Sequence, residues 1–160
     1  MRYVIDTNVP IVANSAQKLG QPKPIFSLNC IEQAVDFLSD LHTNKLAVIF
    51  LDEAGEILKE YTNNLNTRGQ PGVGDRFLAS IIHRNSPQKV EYLNILSDNN
   101  AYLLPDEILQ SNFDKDDRKF AALAIAGDAR VVNATDSDWL DHKNLLEKHG
   151  IKIKFLCNSD

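Results

Sequence analysis

Apolar residues in this chain fall into short continuous runs separated by stripes at helical spacing. Arg2 to Ile5 is apolar and β-branched and ends at Asp6, the profile of a buried parallel strand whose carboxyl end delivers a carboxylate. Gly20 to Pro24, with prolines 22 and 24, reads as a loop. From Asn29 onward Cys30, Ile31, Ala34, Val35, Leu38 and Leu41 recur with helical period, which predicts an amphipathic helix to about His42. Leu46 to Leu51 is a second buried strand, followed by a helix with Ile57, Leu58, Tyr61 and Leu65 on one stripe. Arg68 to Gly74 (RGQPGVG) is too rich in glycine and proline to hold a regular element.

Two helices are expected next, Asp75–His83 and Pro87–Ser97, the second with Ser86 as its cap and Pro87 at its first position. Ala101 to Leu104 reads as a third strand and Asp117 to Ala126 as a helix with Phe120, Leu123 and Ala124 inward. Val131 to Ala134 is a fourth strand running into Thr135 and Asp136. Ser137 then caps a helix stopped by Gly150, and Ile151 to Leu156 alternates apolar residues with lysine, as an edge strand does. No repeat or linker interrupts this alternation. It predicts a single α/β domain over residues 1–160, a Rossmann-like three-layer α/β/α sandwich on a mostly parallel sheet of about five strands.

A length of 160 residues, 43% of them hydrophobic, suffices for a full core without staples. Cys30 and Cys157 lie far apart without CxxC spacing, so they read as core thiols of a reduced, cytoplasmic protein. The opening MRYVIDTN is too acidic and too short in apolar residues for a signal peptide, and no window is apolar enough to span a membrane. The net charge of −5 argues against a bare phosphate grip unless the acids gather around cations that restore positive charge.

The acids do fall at strand ends and helix starts. Asp6 closes the first strand, Asp136 follows the fourth, Asp114-Lys-Asp116-Asp117 opens a helix, and Glu60 lies on the helix after the second strand. In a parallel sheet all can converge on one rim, where ligands collect. Carboxylates so placed repel unless cations lie between them, and an all-oxygen set suits Mg²⁺ or Mn²⁺ rather than zinc. An aspartate at a helix start is also an ordinary cap, the bland explanation for Asp52, Asp138 or any one of the Asp114–Asp117 group. His42, His83, His142 and His149 fall in helices or at their ends and read as exposed surface.

Four segments resemble, in order, the motifs of the PIN-domain family of metal-dependent nucleases. They are YVIDTNVPI (Tyr3–Ile11), GEILKEY (Gly55–Tyr61), DKDDRKFAALA (Asp114–Ala124) and VVNATDSDWL (Val131–Leu140). The resemblance spans most of the chain and implies a phosphodiesterase acting on single-stranded RNA, with single-stranded DNA as a substrate elsewhere in the superfamily. It implies Asp6, Glu60, Asp117 and Asp136 as catalytic metal ligands, with Asp114 beside them and Asn8, Thr135 and Asp138 behind. Glu56 lies one helical turn before Glu60, so either can be the acid of the second motif. The implied partners are RNA, an antitoxin or other protein, and a second copy of the chain. The stretch after Pro10 and the block from Arg68 to Lys89 are roomier than in compact toxin members. In that block Arg68, Arg76 and Arg84 outweigh the acids, and a glycine loop beside basic helices could grip a phosphate backbone; a plain solvated hairpin explains it equally well.

Two other classes compete. A PIN-like scaffold would bind nucleic acid or protein without cutting, and is favoured by an incomplete acid set. A receiver or haloacid-dehalogenase-like phosphatase would use Asp6 as nucleophile, but the latter wants Asp where this chain has Asn8.

Overall fold

The computed structural model describes residues 1–18 and 25–157; the loop expected at Gly20–Pro24 lies outside them. Five strands form one all-parallel sheet: β1 (Arg2–Ile5), β2 (Val48–Asp52), β3 (Lys89–Leu93), β4 (Arg130–Asn133) and β5 (Lys152–Phe155). Their spatial order is β3-β2-β1-β4-β5. The helices are α1 (Asn8–Asn14), α2 (Leu28–Thr43), α3 (Glu56–Asn64), α4 (Val73–Ile82), α5 (Asp106–Gln110), α6 (Arg118–Gly127), α7 (Ser137–Asp141) and α8 (Lys143–Lys148). The expected three-layer α/β/α sandwich is the fold of the chain. No helix among the described residues is long and apolar enough to cross a membrane.

The central strands are buried on both faces, which is why they read as unbroken apolar runs: Val4, Ile5, Ile49, Leu51, Val131 and Val132 are all fully enclosed. The chain winds from β1 outward to β2 and β3, then returns to lay β4 and β5 on the other side of β1. The winding direction therefore reverses between β1 and β4, and a crevice opens there at the strands' carboxyl ends. Asp6 immediately follows β1, and its N–H continues the ladder to the Val132 carbonyl at 3.0 Å.

Several expectations are corrected. The helix expected at Pro87–Ser97 is instead edge strand β3, hydrogen-bonded in parallel to the whole of β2. Val90, Leu93 and Leu96 mimic helical spacing, but an open sheet edge beside β2 outweighs this ambiguous pattern. The strand expected at Ala101–Leu104 shrinks to one antiparallel bridge, Leu96 to Tyr102, because that sheet position is already taken by β3. The last helix breaks at His142 into α7 and α8, and its cap is Asp136 rather than Ser137: Asp138 N–H donates to Asp136 Oδ1 at 2.9 Å. Gly150, at φ +82°, ends α8 in the left-handed conformation expected of it.

The two cysteines are not separate thiols. Cys30 and Cys157 form a disulfide, with Cα atoms 4.8 Å apart across 127 residues of sequence. Their sequence distance is misleading because α2 packs on edge strand β5, where the Lys154 ammonium lies 4.9 Å above the Phe37 ring. The expectation of a reduced compartment loses the support it drew from free thiols.

Candidate metal centre

The structure brings Asp6, Asp117 and Asp136 together, each offering a carboxylate oxygen within 4.8 Å of the others'. Each arrives by a different route: Asp6 on the end of β1, Asp136 on the turn after β4, and Asp117 at the first turn of α6, which packs across β1, β2 and β4.

Asp6 is held on both oxygens. The Asn8 N–H donates to Oδ1 at 3.0 Å and the Trp139 indole N–H to Oδ2 at 2.7 Å. Trp139 is fully buried and set edge-on against Phe113, ring centroids 5.1 Å apart, so the indole cannot turn away. The Tyr61 hydroxyl donates to the Ile5 carbonyl at 2.5 Å and pins the strand end just before Asp6. Burial nevertheless pushes the Asp6 carboxyl up to about 7; its two donors oppose this, while Asp136 and Glu60 add to it.

Asp117 is 8% exposed, and its Oδ2 is buried without a hydrogen-bond partner. Burial raises its carboxyl to about 9, reinforced by the charges of Asp6, Asp136 and Asp114. An ionised oxygen in that position calls for a proton or a cation. Asp136 spends Oδ1 on the α7 cap, and buried Asn133 frames its backbone: Asn133 Nδ2 donates to the Asp136 carbonyl at 2.8 Å, and Asp136 N–H donates to Asn133 Oδ1 at 3.3 Å. Asn8 Nδ2 donates to Asn133 Oδ1 at 2.8 Å, and Asn8 Oδ1 accepts from Ala134 N–H, so Asn8 ties the exits of β1 and β4 together. The three acids fit a hard divalent cation: oxygen donors alone, and one buried oxygen with no other partner.

Other expected ligands stand outside this trio. Glu60 pairs with Lys119, Nζ to Oε2 at 2.6 Å, and accepts from the Thr7 hydroxyl at 2.5 Å. Glu56 accepts from the Tyr102 hydroxyl at 2.7 Å, so neither glutamate of the second motif joins the trio. Asp114 is exposed, and Asp138 Oδ2 accepts its N–H at 2.8 Å while Asp138 Oδ1 faces His142 at 3.1 Å. These two tie the start of α6 to α7. Thr135 is exposed on the wall of a cleft beside Asp136. His42 and His83 are exposed as expected; His142 and His149 are half-buried, against Asp138 and Glu107 respectively.

Two of the basic residues expected to grip substrate, Arg76 and Arg84, lie toward the other end of the sheet from the trio. Arg76 lines a cleft with His42, Thr43 and Gln88, at the amino ends of β2 and β3, whereas the trio sits at the carboxyl ends of β1 and β4. Arg84 lies between α4 and the start of β3, and Arg68 is exposed on the α3–α4 connection. Gly72 and Gly74 serve packing: a Cβ on Gly74, in the first turn of α4, would lie 2.0 Å from the Pro10 carbonyl oxygen, so glycine is what lets α4 seat on α1.

Sequence reasoning missed Trp139, Asn133 and Lys119. An indole three residues after Asp136 and an asparagine three before it are visible in the sequence, but only the fold aims them at Asp6 and at the Asp136 turn. The cleft beside Asp136 encloses about 630 Å³; Phe26, Leu140, Phe155 and the disulfide supply apolar wall, and Thr135 and Ser137 line it too.

No protein-family model matches the chain, and no curated protein matches it in sequence. Among solved structures, a domain of a functionally unknown protein from Methanocaldococcus jannaschii DSM 2661 is similar to it, at 20% identity over 99% of this chain and 93% of that one, with a TM-score of 0.49.

Proposed function

We propose that this chain is a Mg²⁺- or Mn²⁺-dependent phosphodiesterase that cuts single-stranded RNA, with single-stranded DNA as its second substrate. The observation that carries the reading is the gathering of buried Asp6 and Asp117 with half-buried Asp136, in which Asp117 Oδ2 has no donor. When bound there, a divalent ion supplies an acidified water and neutralises charge on the scissile phosphate. Trp139 and Asn8 fix the bearing of Asp6, and Asn133 fixes the turn that carries Asp136. Among the described residues, the cleft beside Asp136 is lined by no lysine or arginine, so it suits a neutral, flat part of the substrate such as an unpaired base, with the phosphate left to the acids.

A phosphatase using Asp6 as nucleophile is disfavoured, since that pattern wants an aspartate two residues on, where this chain has Asn8. In the cell such an enzyme serves as a toxin restrained by an antitoxin, or as an RNA-processing or defence effector, and acts where RNA is, in the cytoplasm.

The test is incubation with labelled single-stranded RNA and DNA, in Mn²⁺ or in EDTA. Cutting that requires the metal and disappears in Asp6→Asn and Asp117→Asn is the expected result. Binding without cutting, unchanged by either substitution, would favour the scaffold reading, and turnover of a small phosphate ester alone would favour a phosphatase.

A further inference from the structure

We propose that the carboxylate centre takes one divalent cation, and that the buried ammonium of Lys119 stands where a second would sit. This rests on the reading above only in treating Asp6, Asp117 and Asp136 as a cation site.

Glu60 is the fourth acid near this rim, close enough for its charge to act on Asp6. Both of its oxygens are engaged, Oε1 by the Thr7 hydroxyl and Oε2 by the Lys119 ammonium. The Lys119 side chain is 9% exposed and also donates to the Asp116 carbonyl, so the ammonium is held from two sides. By contrast, among the described residues none of Asp6, Asp117 and Asp136 makes an ion pair. One region thus holds acids without a cationic partner, and the neighbouring acid is already paired with a built-in cation.

Two-metal phosphodiesterase centres place their ions about 3.5–4 Å apart and need carboxylates for both. A second ion on Glu60 would have to displace the buried Lys119 ammonium from its pair or sit beside its like charge, and either is unfavourable. The Thr7 hydroxyl sets no such barrier, because it can rotate and offer a lone pair instead. Lys119 is therefore a positioning residue: it keeps Glu60 against Thr7, next in sequence to Asp6.

The stoichiometry of Mn²⁺ decides the matter, read by calorimetry and by electron paramagnetic resonance, which distinguishes an isolated ion from a coupled pair. The wild-type protein is expected to bind one ion. Lys119→Met, which frees Glu60, is expected to bind two and to show the coupled signal. Because Lys119→Met strands a carboxylate and weakens the fold, Lys119→Gln is measured beside it. It keeps a hydrogen bond to Glu60 and is expected to admit the second ion with weaker affinity. Glu60→Gln is expected to stay at one ion, with affinity within about tenfold of wild type. Two ions on the wild type with RNA cutting intact would overturn this proposal alone. One ion on both folded Lys119 variants would overturn it as well. No Mn²⁺ on the wild type would remove the cation site itself, and this proposal with it.

Discussion

At the junction of β2 and α3, Asp52 is 1% exposed, and it spends both oxygens on backbone: Glu56 N–H reaches Oδ2 at 2.8 Å and Ile57 N–H reaches Oδ1 at 2.9 Å. Asp75, 8% exposed at the start of α4, accepts from Asn66 N–H, Gly72 N–H and the Asn14 side chain. Across the sheet Asp117 is just as buried, yet its Oδ2 has no donor and two other carboxylates stand within reach. Burial of an aspartate does not distinguish these regions. What does is whether donors already satisfy its charge: at Asp52 and Asp75 they do and the residue is a fold-building cap, whereas Asp117 keeps an unpartnered oxygen beside two further carboxylates, a demand that a cation can meet.

The sharpest way to break this contrast is to neutralise one acid from each region. Asp6→Asn or Asp117→Asn is expected to lower metal-dependent RNA cleavage by more than about a hundredfold, as loss of a ligand should exceed the usual cost of losing a residue behind one. Asp52→Asn is expected to leave cleavage within about threefold while costing roughly 1–3 kcal/mol of stability in urea unfolding, since it weakens acceptors for buried donors.

The pH response separates the regions next. Asp6 and Asp117 are raised in the folded protein above the ordinary 3.8, to about 7 and about 9. The folded state therefore binds protons more tightly than the unfolded chain. Their contribution to stability is fully present below the ordinary carboxylate range and is lost as pH rises through the two folded values. Thermal melts without metal should show a falling Tm from pH 5 to pH 9, and Mn²⁺ should raise Tm more at pH 8 than at pH 5. A metal-free Tm that climbs over that range would contradict the account.

Smaller effects test the supports. Trp139→Phe keeps the apolar body and removes the donor to Asp6 Oδ2; kcat should fall about tenfold, with Mn²⁺ affinity weakened alongside it. Arg76→Ala and Arg84→Ala, at the opposite end of the sheet, should change kcat/KM less than about twofold. A large loss there would return the basic block to the substrate path.

Much of this rim is legible in sequence because a buried parallel strand must be an unbroken apolar run, and whatever ends it lies at the ligand-binding edge. That logic finds β1 with Asp6 and β4 with Asp136, while the stripe through Phe120 and Leu123 finds α6 and so Asp117. It fails at Lys89–Leu93, where five residues fit either period and only the vacant edge of β2 selects a strand. It also fails at Glu60, since helical spacing identifies the carboxylate but cannot reveal that Lys119, distant in sequence, arrives to neutralise it. The cysteines fail for the same reason: the packing of α2 on β5 is a fact of three dimensions.

The most direct measurement is anomalous X-ray diffraction from crystals soaked in Mn²⁺. The account predicts one peak shared by Asp6, Asp117 and Asp136, at about 2.1 Å from their nearest oxygens, and none on Glu60. The absence of a peak among the three, or a peak on Glu60 with Lys119 displaced, would contradict it.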